Sequence, residues 1–389
     1  MSELSIIFTI AIILFLSPFL ARYLRFPTAA VEIILGTLAA YVGFINDFYL
    51  FEQIAHFGFF YLMFMAGCEV DLKIFTKMDK KVLKQSIYYL SLLYILSVLS
   101  VFYFELSKIL IIIIPTLSVG LILALYKDYG KDANWLNLSM LVGAMGELVS
   151  ISLLTLSGAA LEYGIGFELY KAVAYLIILV GGLFAVFKFL HVLFWWYPEI
   201  KVYLMPHIDK EEQDLRLSMA LFALMIGLMI WLKIEIAFGA FIAGIFIATF
   251  FEHKEELPHK ISSFGFGFLV PIFFVYIGST FDIKFLTDIE IISQALQIVA
   301  LMIFVRMFAS VVFLNLLGRI NILRFALSQS MPLTLMIAIA TIAYESHNID
   351  QSLYFALILA SLIEVIIAML CIKILTTIKN YYKNKLNYS

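Results

Sequence analysis

Three charged residues stand where a lipid bilayer is least hospitable to them. Glu147 falls in the middle of the apolar run "MLVGAMGELVSISLLTL" (residues 140–156), Glu364 in the middle of "LASLIEVIIAMLC", and Arg306 within "IFVRMFASVVF". A charged side chain at bilayer depth costs about 2.5–3.5 kcal/mol on insertion scales, so each of the three points to a partner or to a task. The chemistry open to them differs. A buried carboxyl group can hold a proton or a cation in competition, whereas a guanidinium keeps its proton and serves as a fixed counter-charge. Arg306 can pair with Glu147 or with Glu364. A purely structural Glu147–Arg306 ion pair that fixes helix packing is the alternative to an ion site.

The elements that carry these residues follow from composition. Of 389 residues, 63% are hydrophobic and 14% charged. A soluble chain of this length needs far more polar residues to cover its surface, so the sequence reads as a polytopic, all-α membrane protein. Basic residues lie in short loops rather than on one face, which gives no footprint for nucleic acid. Cys68 and Cys371 imply no disulfide framework. The N-terminal run "MSELSIIFTIAIILFLSPFLAR" lacks a basic leader and a small-residue cleavage site, and reads as a retained first helix. Runs of about 20 apolar residues suffice to span the hydrocarbon core. They occur at residues 4–21, 28–45, 53–68, 84–104, 108–126, 135–159, 168–197, 215–232, 236–251, 263–280, 291–315, 322–343 and 349–376. That makes thirteen spans, or twelve if "KIE" at 233–235 fails to separate the eighth from the ninth.

Loops after odd-numbered spans, with the C-terminal tail, carry 20 of the 26 Lys and Arg residues, and loops after even-numbered spans carry Lys108, Lys171, Lys233 and Lys284. By the positive-inside rule the N-terminus lies outside and the C-terminus in the cytoplasm. The loop cations include Arg319 and Arg324, and Lys188 near the end of the seventh span can snorkel.

An internal repeat is legible. "FMAGCEVDLKIF" and "VYIGSTFDIKF" share Gly-x-x-x-Asp-[Leu/Ile]-Lys, matching Gly67, Asp71 and Lys73 to Gly278, Asp282 and Lys284. Pro115 and Pro332 stand 217 residues apart, as do Glu147 and Glu364. The offset of seven spans reverses orientation, so residues 1–160 and 215–389 read as inverted repeats joined by a linker helix and polar loop at 161–214, an architecture shared by many secondary transporters. In "IIIIPTLSVGLILAL", Pro115 and Gly120 flank Thr116 and Ser118; in "LSQSMPLTLMI", Pro332 follows Ser328, Gln329 and Ser330 and precedes Thr334. Proline removes a backbone donor and glycine permits non-helical dihedrals. The carbonyls so freed must be satisfied by protein, water or an ion. Two facing broken helices beside Glu147 therefore suggest a midplane ion site with Thr116 and Ser118 as neutral oxygens; a simple proline kink is the alternative for either helix alone.

These segments resemble the monovalent cation:proton antiporter superfamily, in its branch of bacterial sodium/proton and potassium/proton exchangers. "LRFPTAAVEIILGTLAAYVG", "FYLMFMAGCEVDLKIF", "PTLSVGLILAL", "LKIEIAFGAFIAGIFIA" and "FLVPIFFVYIGSTFDI" carry the resemblance. It implies a moving core of spans 4–6 and 11–13, a scaffold of spans 1–3 and 8–10 through which two copies dimerise, and elevator-type exchange in a bacterial inner membrane without ATP. On that resemblance Glu147 is the carboxylate that binds a monovalent cation or a proton, Arg306 stands at the family's basic position, and Glu364 is either a site ligand or a support. Glu32 reads as a scaffold support. Family members usually carry Asp-Asp or Asn-Asp where this chain has Gly146-Glu147, and the Gly-Glu motif of the second broken helix is replaced by "SQSMP". A single titrating carboxylate implies electroneutral exchange of one cation for one proton. No cofactor, nucleotide or soluble regulatory domain is expected. A carrier of the same fold for an organic anion, which Arg306 and two helix N-termini could receive, and a non-transporting membrane sensor are the other readings. An enzyme is disfavoured, because the six histidines lie at helix ends or in loops and neither His-Glu-x-x-His nor a phosphate-loop motif occurs.

Overall fold

The computed structural model describes residues 3–24, 26–45, 49–68, 79–119, 121, 122, 125, 129, 133–163, 167–197, 199, 200, 212–232, 236–251, 256–281 and 288–387. All of their regular structure is helical: α1 (Glu3–Leu24), α2 (Thr28–Val42), α3 (Tyr49–Cys68), α4 (Lys80–Tyr103), α5 (Leu110–Ile113), α6 (Asn134–Tyr163), α7 (Phe167–Trp196), α8 (Gln213–Leu232), α9 (Ile236–Phe250), α10 (Leu257–Ser279), α11 (Ile289–Leu317), α12 (Arg319–Gln329), α13 (Leu333–Glu345) and α14 (Gln351–Asn387). A helix satisfies its own backbone in lipid, which is why apolar runs of this length take no other form. Among the described residues eight stretches are long and apolar enough to cross a membrane, one of them combining α12 with α13, and α2 and α9 are shorter apolar helices. Large apolar side chains such as Phe8, Phe15, Trp231, Phe304 and Phe308 are exposed, the reverse of a soluble surface and the expected state of one facing lipid. The protein is a polytopic, all-helical membrane protein.

Polar side chains inside these helices are mostly satisfied locally. Thr37, Thr116, Ser139, Ser218 and Ser310 each donate to the carbonyl four residues earlier. Asp79 and Asp288 cap α4 and α11 by accepting from the Lys81 and Glu290 N–H groups. Gly318, at φ 74°, turns the chain from α11 into α12 in a conformation that side chains with a Cβ avoid.

The chain divides into two compact units, Met1–Lys73 with Thr155–Ile283, and Ile74–Leu154 with Lys284–Ser389. Each draws on both halves of the sequence: spans 1–3 and 8–10 fall in the first together with the seventh, which the resemblance sets apart as a connector, and spans 4–6 and 11–13 fall in the second.

In the first unit α3 packs on α9, α2 on α10, α8 on α9 and α1 on α2. Four glycines make the two main pairings possible. A Cβ on Gly36 would overlap the Val275 carbonyl oxygen, and one on Gly244 that of Phe64. A Cβ on Gly67 would overlap the Phe241 oxygen, and one on Gly278 that of Ile33. These contacts map onto one another. Val275 and Gly278 each stand 211 positions after Phe64 and Gly67, while Phe241 and Gly244 each stand 208 after Ile33 and Gly36. Small residues let membrane helices approach closely, and here the approach is duplicated between the halves.

α8 and α9 are separate helices folded against each other, with Gly239 against Met225 and Met229. The reading that would merge them is therefore excluded, although their "KIE" connection lies outside the described residues. Other boundaries also differ from expectation. The tenth span begins earlier, at Leu257, and contains a π-helical turn over Gly265–Leu269 just before Pro271. A π turn is common where a ladder must accommodate a proline or a kink.

In the second unit α11, α12 and α13 pack on α14, α11 also packs on α12 and α4, and α4 on α5. The fifth and twelfth spans are both interrupted. α5 ends at Ile113, and residues 114–119 are not helical; α12 and α13 are parted by Ser330, Met331 and Pro332.

Candidate functional site

The chain has left the helix by Pro115, and several of the backbone groups so freed find other partners. Proline lacks an N–H, so the Ile111 carbonyl loses its helical donor. That oxygen accepts instead from Ser97 Oγ of α4 at 3.1 Å. The Ile112 carbonyl takes the Thr116 hydroxyl at 2.8 Å, and the Thr116 carbonyl takes Arg306 Nη2 at 2.6 Å. Ser150 Oγ accepts the Leu117 N–H at 3.3 Å. After those assignments two donors of the unwound segment, the Ser118 hydroxyl and the Val119 N–H, point at α6.

Glu147 receives both. Ser118 Oγ donates to Oε1 and the Val119 N–H to Oε2, each at 3.1 Å. The carboxylate is 1% exposed and is held by neutral donors alone among the described residues. Ser118 Oγ also stands 3.4 Å from Thr334 Oγ1, just past the second break, so the two interruptions meet at the oxygen that touches Glu147. One buried carboxylate with the Ser118 and Thr334 hydroxyl oxygens at the two breaks is a hard-oxygen setting, suited to a small cation or a proton.

Arg306 answers to the other acid. Its Nη1 lies 3.1 Å from Glu364 Oε1, and both side chains are fully buried. Of the two pairings that the sequence left open, the structure selects Glu364. Glu364 Oε2 and Arg306 Nε have no hydrogen-bond partner among the described residues. The guanidinium therefore ties α14 to the first broken segment, through Glu364 and the Thr116 carbonyl.

The remaining candidates divide. Ser118 is in contact with Glu147, while the Thr116 side chain turns back onto its own helix and its carbonyl serves Arg306. Pro115 and Pro332 stand at the two breaks, and Gly120 lies outside the described residues. Ser328 and Gln329 are buried one to two turns from Glu147 along α6: Ser328 Oγ is 2.7 Å from Ser139 Oγ, and Gln329 Nε2 donates to the Ser139 carbonyl at 2.8 Å. Asp71, Lys73, Asp282 and Lys284 of the repeated motif also lie outside the described residues. Gly146, where an upstream acid was expected from the resemblance, leaves room for Leu117: a Cβ there would overlap the leucine side chain.

Sequence reading missed four participants. Ser139 and Ser150 lie eight residues before and three after Glu147, spacings that keep them near its face of α6 and could have flagged them. The Val119 N–H carries no side-chain signal. Arg324, assigned to a loop, is instead buried within α12, donating to the Leu375 carbonyl at 3.2 Å and lying 6.0 Å from the Trp135 ring centre.

Comparison with known proteins bears on this geometry. The chain is 26% identical over 395 residues to the putative Na(+)/H(+) antiporter YjbQ of Bacillus subtilis, covering 94% of this chain and 62% of that protein, so it spans less than two thirds of that relative's length. It is 23% identical over 387 residues to the probable Na(+)/H(+) antiporter 3 of Methanocaldococcus jannaschii, covering 95% of each. Its fold matches that of the sodium proton antiporter MjNhaP1 from the same archaeon, with a TM-score of 0.67 at 16% identity, over 96% of this chain and 100% of the other. The family model described as sodium/hydrogen exchanger, transmembrane, matches residues 10–377, and the chain belongs to that family.

Proposed function

We propose that the protein exchanges protons for a monovalent cation, sodium or potassium, across a bacterial inner membrane, with Glu147 as the group for which the two ions compete. One observation carries the reading: both carboxylate oxygens of Glu147 are met by groups of a helix that is unwound beside it, Ser118 and the Val119 N–H, and by no cationic side chain among the described residues. An acid neutralised by a fixed cation has little use for a second ion, whereas one held by neutral dipoles takes either a proton or a metal cation to become neutral.

Exchange is electroneutral in this reading, one cation for one proton. Gly146 contributes no second carboxylate, and Arg306, which keeps its proton, balances Glu364. The second unit travels as an elevator carrying the site, and the first, with its glycine-paired helices, is the scaffold through which two copies associate. The repeats run over residues 1–160 and 215–389, with 161–214 linking them, the N-terminus outside and the C-terminus in the cytoplasm. The duplicated glycine contacts support the repeat, and the Lys and Arg distribution supports the orientation. The anion-carrier reading loses its anchor, since Arg306 is committed to Glu364 and the Thr116 carbonyl.

The test is reconstitution into proteoliposomes with an acid interior and a pH-sensitive dye. Addition of sodium, potassium or lithium should alkalinise the lumen, and no pH change with any of the three would overturn the assignment.

A further inference from the structure

A second buried polar group lies outside the Glu147 contacts. Ser139 of α6 faces Ser328 and Gln329 of α12, and all three side chains are at most 1% exposed. The Gln329 amide is oriented by its neighbours: Nε2 donates to the Ser139 carbonyl at 2.8 Å, and the flipped amide would set two carbonyl-type oxygens against each other. Oε1 is thereby turned to the other side, with no hydrogen-bond partner among the described residues, and it lies 3.6 Å from where a Cβ on Gly143 would sit. A buried amide oxygen left unpartnered is costly and calls for an occupant.

The serines sharpen what that occupant is. Ser139 Oγ lies 2.7 Å from the Trp135 carbonyl, Ser328 Oγ 2.7 Å from the Phe325 carbonyl, and the two hydroxyls 2.7 Å from each other. Three short contacts share two protons. The serine pair is therefore short of donors and rich in lone pairs, and with the unpartnered Gln329 Oε1 it suits a cation better than an anion; the second Nε2 hydrogen of Gln329 is the one further side-chain donor of the three residues. The oxygens of the cluster are all neutral, a setting for a singly charged hard ion rather than a divalent one, which favours carboxylates.

Position completes the case. Trp135, Ser139, Gly143 and Glu147 recur at intervals of four along α6, so the cluster stands between Glu147 and the end at which α6 begins, about 12 Å from the carboxylate along the helix. Arg324, buried one turn before Ser328, and Trp135 lie beyond it toward the same end, and the Arg324 charge disfavours long residence. Weak binding is what a waypoint needs if an ion is to leave again.

We infer that Ser139, Ser328 and Gln329 form a second monovalent-cation subsite, occupied in transit between Glu147 and the membrane face at which α6 and α12 begin. The inference rests on the exchange reading above, with Gln329 as a binding and selectivity residue additional to the carboxylate. The experiment compares the full chain with Gln329→Met, which keeps length and removes the amide oxygen, with Gln329→Glu, which restores an oxygen, and with Ser139→Ala. Exchange is followed in right-side-out and everted membrane vesicles with labelled sodium and rubidium. Gln329→Met should raise KM about ten-fold for cation presented at the face where α12 begins, leaving kcat and the KM from the opposite face within two-fold, as loss of one ligand without loss of the carboxylate predicts. Gln329→Glu should recover most of it, and Ser139→Ala should follow Gln329→Met more weakly. An unchanged KM, or an equal rise from both faces, would overturn the subsite while leaving exchange intact. Should the unmutated protein not exchange at all, the exchange reading fails by itself. Sodium-dependent thermal stabilisation of detergent-solubilised Glu147→Gln then decides the subsite: a half-maximal sodium concentration about ten-fold higher when Gln329→Met is added supports it, and an unchanged one overturns it.

Discussion

Glu147 and Glu364 occupy corresponding places in the two halves of the chain, 217 residues apart, and both are buried in the same compact unit, yet their partners are opposite in kind. Glu364 faces a guanidinium at 3.1 Å; Glu147 faces a hydroxyl and a backbone N–H. An ion pair neutralises a carboxylate permanently, at the price of rigid geometry, while dipoles stabilise the charge without cancelling it. Two acids at matching positions thus differ in neighbourhood, and in the proposed exchange that difference is what would separate a structural acid from an exchangeable one.

The comparison breaks first, and with the largest effect, at Glu147. Glu147→Gln keeps shape and removes the charge, so on the proposed exchange mechanism proteoliposome exchange should fall at least about 100-fold while the fold survives. Glu147→Asp should retain part of the rate. Wild-type exchange in the Gln variant would remove Glu147 from the site.

Arg306→Met should act on stability instead. It strands the Glu364 carboxylate in a dry interior, with a destabilisation of about 3–5 kcal/mol read as a loss of thermal stability in detergent. Adding Glu364→Met should return most of it, since two apolar groups of similar volume replace the pair. A double variant no more stable than Arg306→Met would mean that the pair is not the acid's main support.

Ser118→Ala removes one hydrogen bond to a buried carboxylate, worth about 1.5–3 kcal/mol, and should lower kcat/KM for the cation by about ten-fold or more, with any loss of stability confined to that range. The equivalent truncation at Thr116 should be milder for transport, because that hydroxyl bonds to its own helix. Equal transport losses from both would erase the distinction between facing the acid and bracing the break.

The smallest expected effect is none at all. If Glu364 is permanently balanced by Arg306, one cation replaces one proton at Glu147 and no net charge moves. Sodium-driven pH change should then be independent of an imposed potassium diffusion potential, whereas an uncompensated charge would feel about 2.3 kcal/mol per 100 mV. A rate that rises several-fold with potential would make Glu364 a second carrier, and loss of that rise in Glu364→Gln would identify it.

Much of this was legible in the chain alone. Apolar runs of span length, bounded by lysine and arginine clusters, determine a polytopic helical protein, because lipid leaves the backbone no other partners. Pro115 and Pro332 mark both interrupted helices, because proline cannot donate to the ladder wherever it sits. The duplicated Gly67 and Gly278 mark close helix contact, because a missing Cβ is a property of the residue. What the sequence could not determine was partnership. Whether Arg306 serves Glu147 or Glu364, whether Thr116 faces the acid or its own helix, and that the Val119 N–H holds a carboxylate oxygen all depend on which faces α6, α11 and the unwound segment present to one another. Arg324 shows the same limit from the other side, looking like a loop cation in the sequence and being buried against Trp135 in the fold. Residue type decides what a side chain is able to do; only tertiary packing decides which of several equally suitable partners lies within the three or so ångströms at which a hydrogen bond forms.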